Sequence, residues 1–376
     1  MLVLSNPKLR FKREDGTDFP EWNNKRIGEI LSLCHGKDYK HLEIGDIPVM
    51  GTGGVITYVN KALCDWECVC IGRKGTIDRP YYMDKPFWSV DTLFYSKPLG
   101  ENMPKFQYYL FQNINWQLYN EASGVPSLSA STIEDVRANV PCLKEQQKIA
   151  DFLSSVDEVI AQSEAEINNL QQQKKAAMQK IFSQDVRFKR EDGTDYPEWK
   201  FSSIEDEFDF FNGVAHEKDA IAEGKYIIVN SKFISTDGEV QKYTNTVGFP
   251  LQRNDIVMVM SDVPNGRAIA KCYLIDQDNT YTLNQRICCL RSSHNQSFML
   301  NQISRNKYFI KFDDGVKQTN LRKNDVLSCP IFVPCLEEQQ RIADFLSAYD
   351  EAIDYAKQEL DKWCELKKGL LQQMFV

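Results

Sequence analysis

Side chains suited to nucleic-acid chemistry gather on turn-like stretches in two separate regions of this 376-residue chain. The first region offers Thr52 within a Gly51-Thr-Gly-Gly54 turn, then Arg73, Lys74 and Arg79, and then Ser127, Ser129 and Ser131. The second offers Ser231, Lys232, Asn265, Arg267, Gln285, Arg286, Lys317, Gln318, Asn320, Arg322 and Lys323. Arginine and lysine pair with guanine edges, asparagine and glutamine pair with adenine edges, and serine and lysine hold phosphates. Taken singly, each of these residues is better explained by a solvated loop. The stretch 286–323 is the better candidate, because eight Lys/Arg face only Asp313 and Asp314 there. A phosphate backbone feels such a local excess rather than the overall charge of −8.

Other chemistries lack their residues. No Walker A loop and no strand-linked GxGxxG occurs. Asp78-Arg-Pro-Tyr-Tyr82 is near an amino-methyltransferase box, but Arg79 stands where its first proline belongs. The histidines, His35, His41, His216 and His294, form no nucleophile or metal arrangement. Cys64, Cys68 and Cys70 cluster without the paired spacing of a zinc site, and buried free thiols are the expected reading. Eleven cysteines without a CxxC argue against a disulfide framework. The chain is expected to be non-catalytic, with no metal.

Length and composition suit about two soluble domains. No apolar run approaches a membrane span and no signal segment opens the chain, so the expected compartment is the cytoplasm. Residues 23–144 carry 13 basic and 13 acidic side chains, and residues 200–336 carry 16 of each, so the negative charge lies outside these regions.

What must position these residues is a duplicated frame. Residues 10–22 read RFKREDGTDFPEW and residues 187–199 read RFKREDGTDYPEW. VPCLKEQQKIADFLSSVDEVI at 140–160 returns at 333–353 with 16 of 21 positions unchanged. Each second phrase opens a helix with apolar positions alternately three and four residues apart. Ile149, Leu153, Ile160, Ile167 and Leu170 carry the first seam, and Ile342, Leu346, Ile353, Leu360 and Trp363 the second. Lys174 and Lys367 sit on the seams at equivalent places, either setting register or snorkelling. A helix with one apolar stripe must bury it, and the simplest partner is its own copy. Between the frames lie mixed, strand-rich inserts. Strands are expected at Glu67–Ile71, Tyr226–Val229, Ile256–Met260 and Arg286–Leu290, and short helices near Phe106–Asn115 and Asn301–Phe309.

Assembled, the pattern resembles the specificity subunit of type I restriction-modification systems over essentially the whole chain. Pro141–Leu153 and Pro334–Leu346 carry the resemblance most strongly. Gly124-Val-Pro-Ser-Leu128, Gly315–Leu321 and Ile71-Gly-Arg-Lys-Gly75 add to it. The resemblance implies an α+β fold with a pseudo-two-fold internal repeat. Two mixed target recognition domains would be joined by two long antiparallel coiled-coil helices. The expected organisation is a lead-in at 1–22, recognition domain 1 at 23–144 and a central helix at 145–182. A second lead-in at 183–199, recognition domain 2 at 200–337 and a C-terminal helix at 338–376 complete it. Each domain would read half of a bipartite double-stranded DNA target from the major groove. The helices would set the gap and dock two modification subunits, and restriction subunits would bind the assembly. S-adenosylmethionine, ATP and magnesium would sit on those partners, with no cofactor in this chain. The alternative is a non-catalytic coiled-coil scaffold whose inserts bind proteins.

Overall fold

The computed structural model describes residues 7–215, 217–264, 266 and 268–375. The chain divides into two compact units, Met1–Glu166 with Ala356–Val376, and Ile167–Tyr355.

The first unit is built on a four-stranded antiparallel sheet. Its strands lie in the order Leu31–His35, Leu93–Pro98, Cys68–Gly72 and Tyr81–Met83. Cys68–Gly72 is buried at every residue, which explains its unbroken apolar run. A smaller sheet joins Gly54–Val59, Ile47–Gly51 and Trp88–Ser89, the last pair parallel. The core gathers Ile27, Leu31, Val69, Phe94, Phe106, Tyr109 and Trp116. Ile149 and Leu153 enter it from the start of a long helix, Leu143–Phe182, and Met374 from the end of another, Leu336–Met374.

The second unit has the same strand order with different residues. Asp209–Asn212, Ile287–Arg291, Ile256–Val259 and Cys272–Leu274 form its four-stranded sheet. Tyr243–Thr244, Tyr226–Val229 and Tyr281–Leu283 form the smaller one, again with one parallel pair. Its core draws Ile342 and Leu346 from the start of the second long helix and Ile181 from the end of the first. The expected strands are present within one residue at each end, and the expected helix near Phe106–Asn115 is Pro104–Asn113. The one expected near Asn301–Phe309 is instead split, with Gln296–Ile303 and Lys307–Ile310 separated by Ser304–Asn306, where Asn306 caps the second piece by accepting from Tyr308 N.

In both long helices every seam position is buried or half-buried. Lys174 donates to Asp350 at 2.5 and 2.6 Å, and Lys367 lies 2.7 Å from Asp157. Both seam lysines thus end on a carboxylate of the other long helix, each pair inside one unit. At 1.5 Å per residue the 40-residue first helix is roughly 60 Å long.

The duplicated phrases meet at a buried carboxylate. In the first unit Arg10 donates to both oxygens of Glu145 at 3.1 and 2.9 Å, and Trp22 Nε1 donates at 3.0 Å. Arg10 also donates to the carbonyl of Pro20 at 2.7 Å. In the second unit Arg187 and Trp199 hold Glu338 in the same way, at 3.3, 3.0 and 2.9 Å, and Arg187 donates to Pro197 O at 2.6 Å. Both glutamates are fully buried. The next residues, Gln146 and Gln339, donate back to the carbonyls of Pro141 and Pro334. The Arg, Trp, Pro and Glu-Gln of the two phrases are therefore bound to one another at the start of each long helix.

Candidate nucleic-acid interface

The non-repeating loops are held in place by a second set of backbone bonds that the two units share. In the first unit, Arg73 N donates to Thr92 O at 2.8 Å, and Leu128 N donates to Arg73 O at 2.9 Å. In the second, Met260 N donates to Arg286 O at 3.0 Å, and Leu321 N donates to Met260 O at 2.8 Å. Lys74 bridges Ser127 where Ser261 pairs with Asn320. On the smaller sheets, Val90 N donates to Met50 O at 3.1 Å, and Asn284 N donates to Val229 O at 3.2 Å. These contacts match Arg73 with Met260, Lys74 with Ser261, Thr92 with Arg286 and Ser127 with Asn320. By continuity of the strands, Thr52 matches Ser231, Val90 matches Asn284, and Asp91 matches Gln285.

Two glycines fix this corner. A Cβ on Gly36 would come 1.9 Å from Val90 O, and one on Gly213 would come 1.9 Å from Asn284 O. The chain leaving the strand that ends just before each glycine can approach the carbonyl only because neither glycine carries a side chain.

In the first unit Thr52, Arg73, Lys74 and Ser127 come together. Tyr81 fixes the first by donating to Thr52 O at 2.8 Å, and Arg73 Nη1 donates to Asp91 O at 3.3 Å. Arg79 is exposed on the loop before Tyr81–Met83, and it lies outside that group. Ser129 and Ser131 are engaged locally. Ser129 caps the short helix Ala130–Asp135 by accepting from Thr132 N, donates to Glu121 at 2.8 Å and contacts Ser131 Oγ at 3.0 Å. Thr132 also donates to Glu121, and these bonds, with Thr132 first, hold that carboxyl below its ordinary range.

In the second unit the candidate residues fall into two groups. Ser231, Lys232, Gln285 and Arg286 line one pocket of about 290 Å³, together with Asn230, Lys242 and Asn284. Gln318 donates to Ser261 Oγ at 2.6 Å, which donates to Asn320 Oδ1 at 2.7 Å. Arg322 and Lys323 begin the short helix Lys323–Leu327; Arg322 N donates to Asp325, and Lys323 Nζ lies 5.4 Å from the centre of the Phe210 ring. Lys317 is exposed, its backbone N–H held by Asp314. Asn265 and Arg267, like His216, lie outside the described residues.

The positive stretch 286–323 is less free than its composition implies. Arg291 is bound by both oxygens of the buried Asp255 at 2.7 Å, and Lys311 lies 3.8 Å from the centre of the Tyr308 ring. Two members of the second site were not singled out in the sequence. Lys242 arrives through the pairing of Tyr226–Val229 with Tyr243–Thr244, and Ser261 through its pairing with Asn320. Both pairings are long-range and leave no local signal.

Among the described residues, no group of three or more His, Cys, Asp or Glu is placed to hold a metal ion, and no helix is long and apolar enough to cross a membrane. Cys64 and Cys68 lie 3.8 Å apart, buried and unbridged. The contact with Cys68, then burial, pushes the Cys64 thiol well above its ordinary pKa.

Three comparisons with known proteins agree. The specificity subunit of type I restriction enzyme MjaVIII from Methanocaldococcus jannaschii is 26% identical over 415 residues, spanning 96% of this chain and 94% of that protein. The crystal structure of a type I restriction-modification S subunit from M. genitalium has a TM-score of 0.63 at 17% identity, over 99% of both chains. A chain from a structure on complex assembly and conformational transition of the type I R-M system has a TM-score of 0.56 at 14% identity, over 94% of this chain and 96% of that one. These two likenesses are of fold. The family model of the type I restriction modification DNA specificity domain matches residues 20–172 and again 196–362. Matched in both halves by that model, the chain belongs to the type I restriction-modification DNA specificity family and is a subunit for DNA sequence recognition.

Proposed function

We propose that the two units each read one half of a split double-stranded DNA target in the major groove. The observation that carries this reading is the matched set of loop positions. The backbone bonds at 73, 92 and 128 recur at 260, 286 and 321, while the side chains on them change. Arg73, Lys74, Asp91 and Thr92 give way to Met260, Ser261, Gln285 and Arg286. A common mount with exchanged donors and acceptors suits two readers of different base sequences, because bases are distinguished by those groups. The frame residues are engaged with one another and are left out of the readout.

The contact set of this reading is Thr52, Arg73, Lys74, Arg79 and Ser127 in the first unit. In the second it is Ser231, Lys232, Gln285, Arg286, Lys317, Gln318, Asn320, Arg322 and Lys323. The long helices pair antiparallel through their seams as a coiled coil and set the number of base pairs between half-sites. They also dock two modification subunits, which bring S-adenosylmethionine and methylate adenine; restriction subunits with ATP and magnesium join that assembly in the cytoplasm. A groove of about 480 Å³ in the second unit, lined by Ala177, Phe345 and Tyr349 of the long helices and Phe188 of the second lead-in, supports the docking role.

The test is methylome sequencing of a cell carrying the chain with its modification subunits. The expected result is one motif of two short specified halves separated by unspecified bases, with methylated adenine in each. An undivided motif, or no new methylation, overturns the reading.

A further inference from the structure

The pocket of the second unit has a chemistry that its counterpart in the first unit lacks. Lys232, Lys242 and Arg286 line it, and among the described residues none of the three is in an ion pair. Asn284 forms part of its wall, with 4% of its surface exposed, and its Oδ1 meets no donor among the described residues. A buried, unmatched carbonyl is unfavourable and is expected to find a partner when a ligand or water arrives.

A phosphate alone does not fit this set. It would satisfy the three cations but offers only acceptors, leaving Asn284 Oδ1 unmatched. A pair of base edges offers both: the O6 and N7 acceptors of guanine for Arg286 and a lysine, and an exocyclic amine of adenine or cytosine for the carboxamide. That amine reaches the carboxamide directly after a side-chain rotation, or through one bridging water. The comparison with the first unit points the same way. Where the second unit has Ser231, Asn284, Gln285 and Arg286, the first has Thr52, Val90, Asp91 and Thr92. Both halves of any target present the same phosphates, so a backbone clamp has no reason to differ between the units. A base reader does.

We infer that this pocket is the specificity determinant of the second half-site, with Arg286 reading guanine and Asn284 and Gln285 reading the neighbouring exocyclic amine. The inference rests on the reading above that each unit recognises one half of the target.

The experiment selects bound sequences from a randomised duplex library, using the full chain assembled with its modification subunits. Wild type, Arg286→Ala, Arg286→Lys and Lys242→Ala are compared. A bidentate contact discriminates by about tenfold to a hundredfold against a wrong base. Arg286→Ala is therefore expected to relax one or two positions of a single half-site by that factor, leaving the other half unchanged. Arg286→Lys, which keeps the charge and loses the planar fork, is expected to relax the same positions. Two results overturn the inference. If Arg286→Ala weakens all sequences alike, lowers the salt slope and is rescued by Arg286→Lys, the pocket holds phosphate. If no variant changes the selected motif, the pocket is ordinary surface. A wild-type complex that selects no split motif refutes the two-reader proposal instead, so the two failures are distinguishable.

Discussion

At the scale of single residues, the chain spends its repeated side chains on two buried carboxylates. Glu145 accepts three hydrogen bonds from Arg10 and Trp22, with no exposed surface of its own. Removing one partner from a buried pair leaves the other uncompensated, at a cost of about 3–5 kcal/mol. Glu145→Ala is expected to lower stability by that amount in urea unfolding, and a loss below about 1 kcal/mol would show that the clamp is dispensable. Glu207 carries a different signature. Lys200 above all, then Ser202 and His294, hold its carboxyl at about 2 against an ordinary 4.5. A depressed carboxyl stabilises the fold above its unfolded pKa, and that contribution fades as pH falls from about 4.5 toward 2. Glu207→Gln is therefore expected to flatten the acid limb of the stability profile in this window, measured by thermal unfolding from pH 2 to 6. An unchanged limb would place the acid sensitivity elsewhere. The roles of Arg10 and Glu145 were only partly legible. Their repetition was visible, yet nothing in the spacing said that residues 135 positions apart would share a hydrogen bond. Ser129 shows the converse: its helix-capping role is local and was open to a sequence reading, but hydroxyls suit phosphates and caps equally.

At the scale of elements, the long helices are the part most readable in sequence, because a three-and-four spacing is a local code and the elements that obey it are long. Strand order was not readable: Leu31–His35 pairs with Leu93–Pro98 across some sixty residues, and such pairings depend on packing rather than on neighbours. The helices also show which forces matter. Leu153 and Leu346 are fully buried, whereas Lys174 and Lys367 keep 17% of their side-chain surface and pair with partly exposed aspartates. Leu153→Ala and Leu346→Ala are each expected to cost about 2–5 kcal/mol. Lys174→Ala and Lys367→Ala are expected to cost less than about 1 kcal/mol each. Comparable losses in chemical denaturation would make the ion pairs, and not the apolar seam, the main support. Gly369 lies inside the second helix with open space where a Cβ would stand. Gly369→Ala is expected to raise stability by about 0.5–1 kcal/mol, since glycine in a helix gives up more backbone freedom than alanine. A destabilised Gly369→Ala variant would mean that this helix bends or yields there.

At the scale of the whole molecule, the division between repeated and unrepeated residues becomes a division of labour that length changes can probe. If the unrepeated loops choose bases and the helices choose spacing, the two properties must vary independently. Seven residues inserted at matching points of both long helices keep the seam in phase, since the seam repeats every seven. They add about 10.5 Å of helix at 1.5 Å per residue, which spans about three base pairs at 3.4 Å each. The lengthened protein, assembled with its modification subunits, is expected to methylate the same two half-sites with about three more unspecified pairs between them. Exchanging residues 200–332 for the corresponding region of another family member is expected to do the opposite, replacing one half-site and preserving the spacer. Methylome sequencing reads both outcomes in one measurement. A lengthened chain that keeps the original spacer would end the ruler role, and an exchange that alters both halves would show that the units do not read separately. The insertion must be in phase, because a four-residue insertion in one helix alone would turn the far end of that helix, with Ile181 or Met374, relative to the core that buries it and confound spacing with stability.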